Sequence, residues 1–214
     1  MLQRFLSTLC FQEHFGRQMR FIAGPRQIGK TTLVRRFLKE TKFDESYYNW
    51  DLRSVRDKFK TNHYFFHAHN LAKKIRKQRR MPVVFDEIHK YPKWKNILKD
   101  YFDSYETRYL FLITGSARLD LFRKSGDSLS GRYFLFRLLP LSLFELTRSK
   151  LVLPTSEATH FIEENLHNHG SQTDMDALLR FSGYPEPFLK GNDVFSSNWH
   201  EQYIDSLIRE ELRD

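Results

Sequence analysis

Residues 21–38 read FIAGPRQIGKTTLVRRFL. An apolar run stops at Gly24, and Lys30-Thr31-Thr32 opens a stretch with Leu33, Val34, Phe37 and Leu38 at helical spacing. The segment is expected to be a buried strand, a tight loop and a helix. Within it, Gly24-Pro25-Arg26-Gln27-Ile28-Gly29-Lys30-Thr31 matches G-x-x-x-x-G-K-[ST] at every position. The glycines let backbone N–H groups turn inward around phosphate oxygens, and the helix N-terminus adds partial positive charge. Lys30 would reach the β- and γ-phosphates of a nucleotide. The Thr31 hydroxyl would ligate Mg²⁺, and Thr32 could support the α-phosphate through its backbone. Arg26 and Gln27, inside the loop with Pro25 and Ile28, brace it or contact the nucleotide edge.

A second motif narrows the chemistry. In VVFDEIHK, residues 83–90, an apolar strand ends in two acids. Asp86 stands where a further Mg²⁺ contact is needed, usually through water. Glu87 can orient and deprotonate an attacking water. An adjacent Asp-Glu pair is typical of the additional-strand ATPases, whereas small-molecule kinases usually lack it. The chain has no N-K-x-D guanine-recognition motif, so ATP rather than GTP is expected.

Working outward, MRFIAG (19–24), SYYNWDL (46–52), MPVVFDEI (81–88), RYLFLITGS (108–116) and RYFLFRLLP (132–140) read as strands. Helical spacing between them, clearest for Trp94, Ile97, Leu98, Tyr101 and Phe102, gives strand–helix alternation. That pattern predicts an α/β fold with a parallel sheet covered on both faces. After Pro140 the strand signal fades, and the remaining segments look helical.

Composition agrees with a packed domain: 40% hydrophobic and 15% aromatic residues, 20 of them Phe, can fill a core. The single cysteine, Cys10, rules out an internal disulfide and reads as a small core residue. No apolar run approaches the ~18 residues of a membrane span, and the N-terminus lacks a secretory cleavage pattern, so no membrane partner and a cytoplasmic location are expected. The net charge of +9 is divided unevenly. Residues 1–150 carry 31 Lys/Arg against 14 Asp/Glu, and residues 151–214 carry 4 against 12. The asymmetry suggests two modules: a core at 1–148 and an acidic helical segment at 149–214. A basic core suits a polyanion partner, nucleic acid included, and suits equally an acidic neighbour or an anionic ligand.

GPRQIGKTT, VVFDEIHK, LITGSAR and LSGRYFLFRLLPLSLFEL together resemble an AAA+-type P-loop ATPase family of bacteria and archaea, whose members join such a core to a C-terminal domain of unknown function. FSGYPEP resembles that family's Gly-Tyr-Pro segment. The resemblance spans essentially the whole chain. It implies a five-stranded parallel sheet in the order 5-1-4-3-2, a helical lid, ATP and Mg²⁺. Family members usually run considerably longer, and on that comparison the chain is expected to be short at its C-terminus. Tyr203, Ile204, Leu207, Ile208 and Leu212 form an apolar stripe there. The family pattern places a sensor at the end of the fourth strand, with Thr114 touching the γ-phosphate or the attacking water and Ser116 as the rival. It also includes the Gly-Arg of SGRYF, so that Arg132 could reach a γ-phosphate in its own site or in a neighbour's, the latter making hydrolysis depend on a homo-oligomer. Arg118 is the weaker candidate.

Three signals have ordinary explanations. His63, His67 and His69 lack a cysteine or a carboxylate to complete a metal site. The basic run KKIRKQRR could grip phosphate backbones, but charge on a helix is ordinarily a solvated face. Trp50 suits a buried strand end, with stacking on a base as the alternative. The expected function is Mg²⁺-dependent ATP hydrolysis driving a conformational switch on an unidentified client. A nucleic-acid-binding module with a structural nucleotide is the alternative, and a small-molecule kinase is a third.

Overall fold

The computed structural model describes residues 2–70, 80–115, 128–147 and 171–211. The chain divides into two units, Leu9–Leu139 and Met1–Thr8 with Pro140–Asp214.

The larger unit is built on five parallel strands, β1 (Met19–Ala23), β2 (Tyr47–Asn49), β3 (Met81–Asp86), β4 (Tyr109–Thr114) and β5 (Tyr133–Arg137). Their order is β2-β3-β4-β1-β5, the arrangement that the resemblance implied. Every residue of β1, β3 and β4 is buried, which is why these strands read as unbroken apolar runs. β5 lies at an edge and is only partly covered, and its burial is correspondingly uneven.

Helix α1 (Phe5–Cys10) runs across the sequence boundary between the two units, and among the described residues of the larger unit local pattern accounts for α2 (Lys30–Thr41), α3 (Arg53–Thr61), α4 (Phe65–Asn70) and, after β3, α5 (Trp94–Tyr105). α2 buries Leu33, Val34 and Leu38, and α5 buries Trp94, Leu98, Tyr101 and Phe102, each set falling on one face at a 3.6-residue period. The core between sheet and helices is aromatic. Phe66 meets Tyr101, Phe85 and Tyr109 with ring centroids 4.6, 5.4 and 5.4 Å away, mostly edge-on, the arrangement that ring quadrupoles favour. Trp50 is packed into this core against Phe59, Phe65 and Phe85; base stacking is therefore excluded for it. Cys10 is fully buried, and burial pushes its thiol pKa up to about 12, which makes it inert.

The smaller unit holds α6 (Leu143–Thr147), α7 (Gln172–Phe181), α8 (Pro185–Lys190) and α9 (Asp193–Glu211). Its Gly-Tyr-Pro segment has a separate reason at each position. The Gly183 carbonyl accepts from the Leu141 amide at 2.7 Å, and a Cβ on Gly183 would sit 2.7 Å from the Leu141 oxygen. Tyr184 joins Trp199 and Tyr203 in a ring cluster, with its hydroxyl 2.8 Å from that of Tyr203. Pro185 opens α8, where its missing N–H is no loss. The apolar stripe on α9 is split: Tyr203 is covered by this cluster, Ile204 and Ile208 are exposed, and Leu212 lies outside the described residues. Among the described residues, no helix is long and apolar enough to cross a membrane.

Candidate nucleotide and metal site

The C-terminal ends of β1, β3 and β4 bring the sequence motifs to one edge of the sheet. At the end of β1 the Leu138 amide donates to the Ala23 carbonyl at 2.8 Å, so the chain after β5 runs close to Gly24. A Cβ on Gly24 would lie 2.4 Å from the Leu138 carbonyl oxygen, and its φ is +155°; only glycine fits. The loop then turns through Gln27 at φ +57° and Gly29 at φ +98°, and α2 begins. Ile28 is fully buried and anchors the loop, Pro25 and Arg26 are half-buried, and Gln27, Thr31 and Thr32 are exposed. Lys30 is buried and folds back over the loop, donating from Nζ to the Gly24 and Pro25 carbonyls at 2.8 and 2.6 Å.

Asp86 is 3% exposed. Three hydroxyls converge on it: Thr31 Oγ1 donates to Oδ2 at 2.9 Å, Tyr47 also donates to Oδ2, and Thr114 donates to Oδ1. The β-ladder explains the convergence, since Asp86 is level with Asn49 on β2 and with Thr114 on β4. A buried carboxylate surrounded by neutral donors favours the approach of a cation. The donors of Asp86 and Thr31 are hard oxygens, which suits Mg²⁺ held by one carboxylate together with a ligand's phosphates. The side-chain-free cradle at Gly24 likewise fits a phosphate chain.

Glu87 adopts φ +57°, and its amide donates to the Thr114 carbonyl at 3.0 Å. Its Oε2 lies 3.4 Å from His89 Nε2. Burial, and next the negative charge of Asp86, raise its carboxyl above the usual range, which makes the carboxylate a stronger base.

Thr114 and Arg132 are each held by a carboxylate. Thr114 is fully buried, and its hydroxyl is turned to Asp86. In this arrangement it holds the carboxylate. Ser116 and Arg118 lie outside the described residues. Arg132 immediately precedes β5, and its carbonyl accepts from the Met19 amide at the start of β1. It therefore sits at the opposite end of the sheet from Gly24, a strand length of roughly 16 Å at ~3.3 Å per residue. It is held there by a two-point bond to Asp103, at 2.7 and 3.0 Å. Arg132 cannot serve its own chain's phosphate loop.

The histidines have separate partners. His67 and His69 contact the hydroxyls of Tyr109 and Tyr48, each at 2.9 Å, and His63 stacks on Phe59. The run at 73–79 lies outside the described residues, while Arg80 bonds the Arg17 and Gly16 carbonyls. Tyr47 was the residue that sequence reasoning missed. Its only signal was a place two residues before Asn49 on the same strand face, and only the β2–β3 pairing turns that into proximity to Asp86.

A model of the AAA domain family matches residues 16–147, more than half of the chain. The chain belongs to this family of P-loop ATPases, a membership that supports nucleotide binding and hydrolysis in general. Among solved structures it is similar to C. elegans PCH-2, with 16% sequence identity and a TM-score of 0.43, over 83% of this chain and 53% of that one. The chain thus spans about half the length of that protein. No curated protein matches.

Proposed function

We propose that this chain binds ATP together with Mg²⁺ and hydrolyses it, and that hydrolysis is coupled to a conformational change in the helical segment at 149–214. The reading is carried by one observation: Thr31 at the start of α2 and Asp86 at the end of β3 are hydrogen-bonded beside a glycine-walled loop. The backbone N–H groups of residues 24–32 take the phosphates, with Pro25, Arg26, Gln27 and Ile28 shaping the loop. Lys30 exchanges its bonds to the Gly24 and Pro25 carbonyls for phosphate oxygens. Thr31 and Asp86 hold the metal, Asp86 being kept in place by Thr114. Bound Mg²⁺ would neutralise phosphate charge as the terminal phosphoryl group transfers. Glu87 removes a proton from the attacking water as its oxygen bonds to the γ-phosphorus and the bond to the β-phosphate oxygen breaks. Arg132 acts, if it acts on phosphate, in a neighbouring copy.

Lys30→Ala tests the reading directly. Calorimetry should show ATP·Mg²⁺ binding abolished or greatly weakened, because the phosphates lose their main cationic partner. Unchanged affinity in the variant would remove the proposal. The Lys/Arg excess of residues 1–150 favours a second reading, a nucleic-acid-binding module with a regulatory nucleotide. Affinity for DNA that falls steeply with salt would support that reading.

A further inference from the structure

Asp86 is gripped from two strands. Thr114 on β4 fixes Oδ1, and Tyr47 on β2 fixes Oδ2. A carboxylate bonded at one oxygen can still turn about its Cβ–Cγ axis, whereas one bonded at both has its plane set. Thr31 also uses Oδ2, but its hydroxyl is the one the proposed function gives to the metal. Tyr47 is then the donor that stays on Oδ2 when Thr31 is recruited. Its own ring is steadied by the Arg35 guanidinium, 4.2 Å from the ring centre. Arg35 follows Thr31 by four residues, on the same face of α2.

Resting on the ATP·Mg²⁺ reading above, we propose that Tyr47 is a positioning residue for the metal: its hydroxyl, with that of Thr114, sets the plane of the Asp86 carboxylate and thereby the affinity for nucleotide-bound Mg²⁺. The competing view is that the bond only satisfies an edge-strand tyrosine. The two differ in which step suffers when the hydroxyl is removed. A positioning role affects the part of nucleotide affinity that Mg²⁺ adds. A purely structural role affects binding with and without the metal alike.

Tyr47→Phe keeps the ring and its contact with Arg35 and deletes only the hydroxyl. The test is binding of a fluorescent, non-hydrolysable ATP analogue to the full chain, once in EDTA and once across a Mg²⁺ titration. Circular dichroism confirms that each variant is folded. The expected result is a half-maximal Mg²⁺ concentration raised about tenfold, the usual scale for a hydrogen bond to a charged group, with affinity in EDTA within about twofold of wild type. In an Asp86→Asn background the same change should add nothing, because the carboxylate it positions is gone. An unchanged or lowered Mg²⁺ midpoint overturns the proposal. So does an equal loss of affinity in EDTA and in Mg²⁺, or a full effect persisting in Asp86→Asn. Wild-type protein whose nucleotide binding ignores Mg²⁺ would instead refute the underlying ATP·Mg²⁺ reading, and this proposal with it.

Discussion

At the scale of single residues, Glu87 combines two demands that oppose each other. A base that is partly buried must carry charge where charge is unfavourable, and both burial and Asp86 raise its pKa. Glu87→Gln should therefore bind ATP normally and hydrolyse it at least ~100-fold more slowly, the scale of a lost general base. Single-turnover phosphate release measures this, and turnover that barely changes would reassign the base. The same raised pKa fixes a sign for stability. Folding disfavours the ionised carboxylate, so its penalty is absent below the unfolded-state pKa and complete above the raised folded-state value. Across that window, wild type should lose stability relative to Glu87→Gln as pH rises. The variant should be the more heat-stable protein at neutral pH and should lose that advantage in acid, as thermal melts at both pH values would show. Activity of the wild type should fall as pH drops through the raised pKa. Loss of function with gain of stability is the mark of a group kept for chemistry.

At the scale of elements, what was legible in the sequence divides along a physical line. β1, β3 and β4 could be read because strands buried on both faces must be apolar throughout, and α2 and α5 because a one-sided helix repeats every 3.6 residues. The loop at 24–31 could be read because its spacing answers to a chemical need. The clamp on Asp86 could not, because Tyr47 and Thr114 lie 39 and 28 residues from it and meet it only through strand register. Arg132 was left open between its own site and a neighbour's, and the parallel pairing of β5 with β1 puts it at the end of the sheet away from Gly24. Gly24 shows how an element join can be tested. Alanine there would meet the Leu138 carbonyl oxygen at 2.4 Å, forcing the segment after β5 off β1. Gly191 also has positive φ, +55°, but nothing lies within 4 Å of its Cβ position. Gly191→Ala should cost about 1–2 kcal/mol from backbone strain alone, and Gly191→Asn less, since asparagine tolerates that conformation. Gly24→Ala should cost a further ~1–3 kcal/mol for overpacking, with no relief from asparagine. Urea denaturation of the four variants checks the order, and equal costs at the two sites would mean that the close approach at Gly24 is easily relaxed.

At the scale of the whole molecule, the position of Arg132 turns a question about one site into a question about assembly. It stands at the end of the sheet opposite the phosphate loop and cannot cross a strand's length to its own nucleotide. If its guanidinium meets a phosphate, that phosphate belongs to another copy, approached end to end. Its bond to Asp103 is no obstacle, since both groups are on the surface and an exposed pair opens readily. Such a contact is heterologous, and repeated it gives a ring or a filament. The uneven charge along the chain, basic before residue 150 and acidic after it, would favour contact between the basic part of one copy and the acidic part of the next and would make that contact sensitive to salt. Phosphate release per molecule should then rise with protein concentration and fall with ionic strength. Arg132→Ala should be slow on its own, as should Glu87→Gln. Mixed, they should recover part of the activity, because an Arg132→Ala chain keeps an intact base and can borrow arginine from a Glu87→Gln neighbour. Asp103→Ala, which releases Arg132 without touching the site, should leave activity equal or higher. Specific activity that is flat over about a hundredfold dilution, with no recovery on mixing, would place Arg132 outside catalysis altogether, because its place in the fold has already removed the alternative of acting at home.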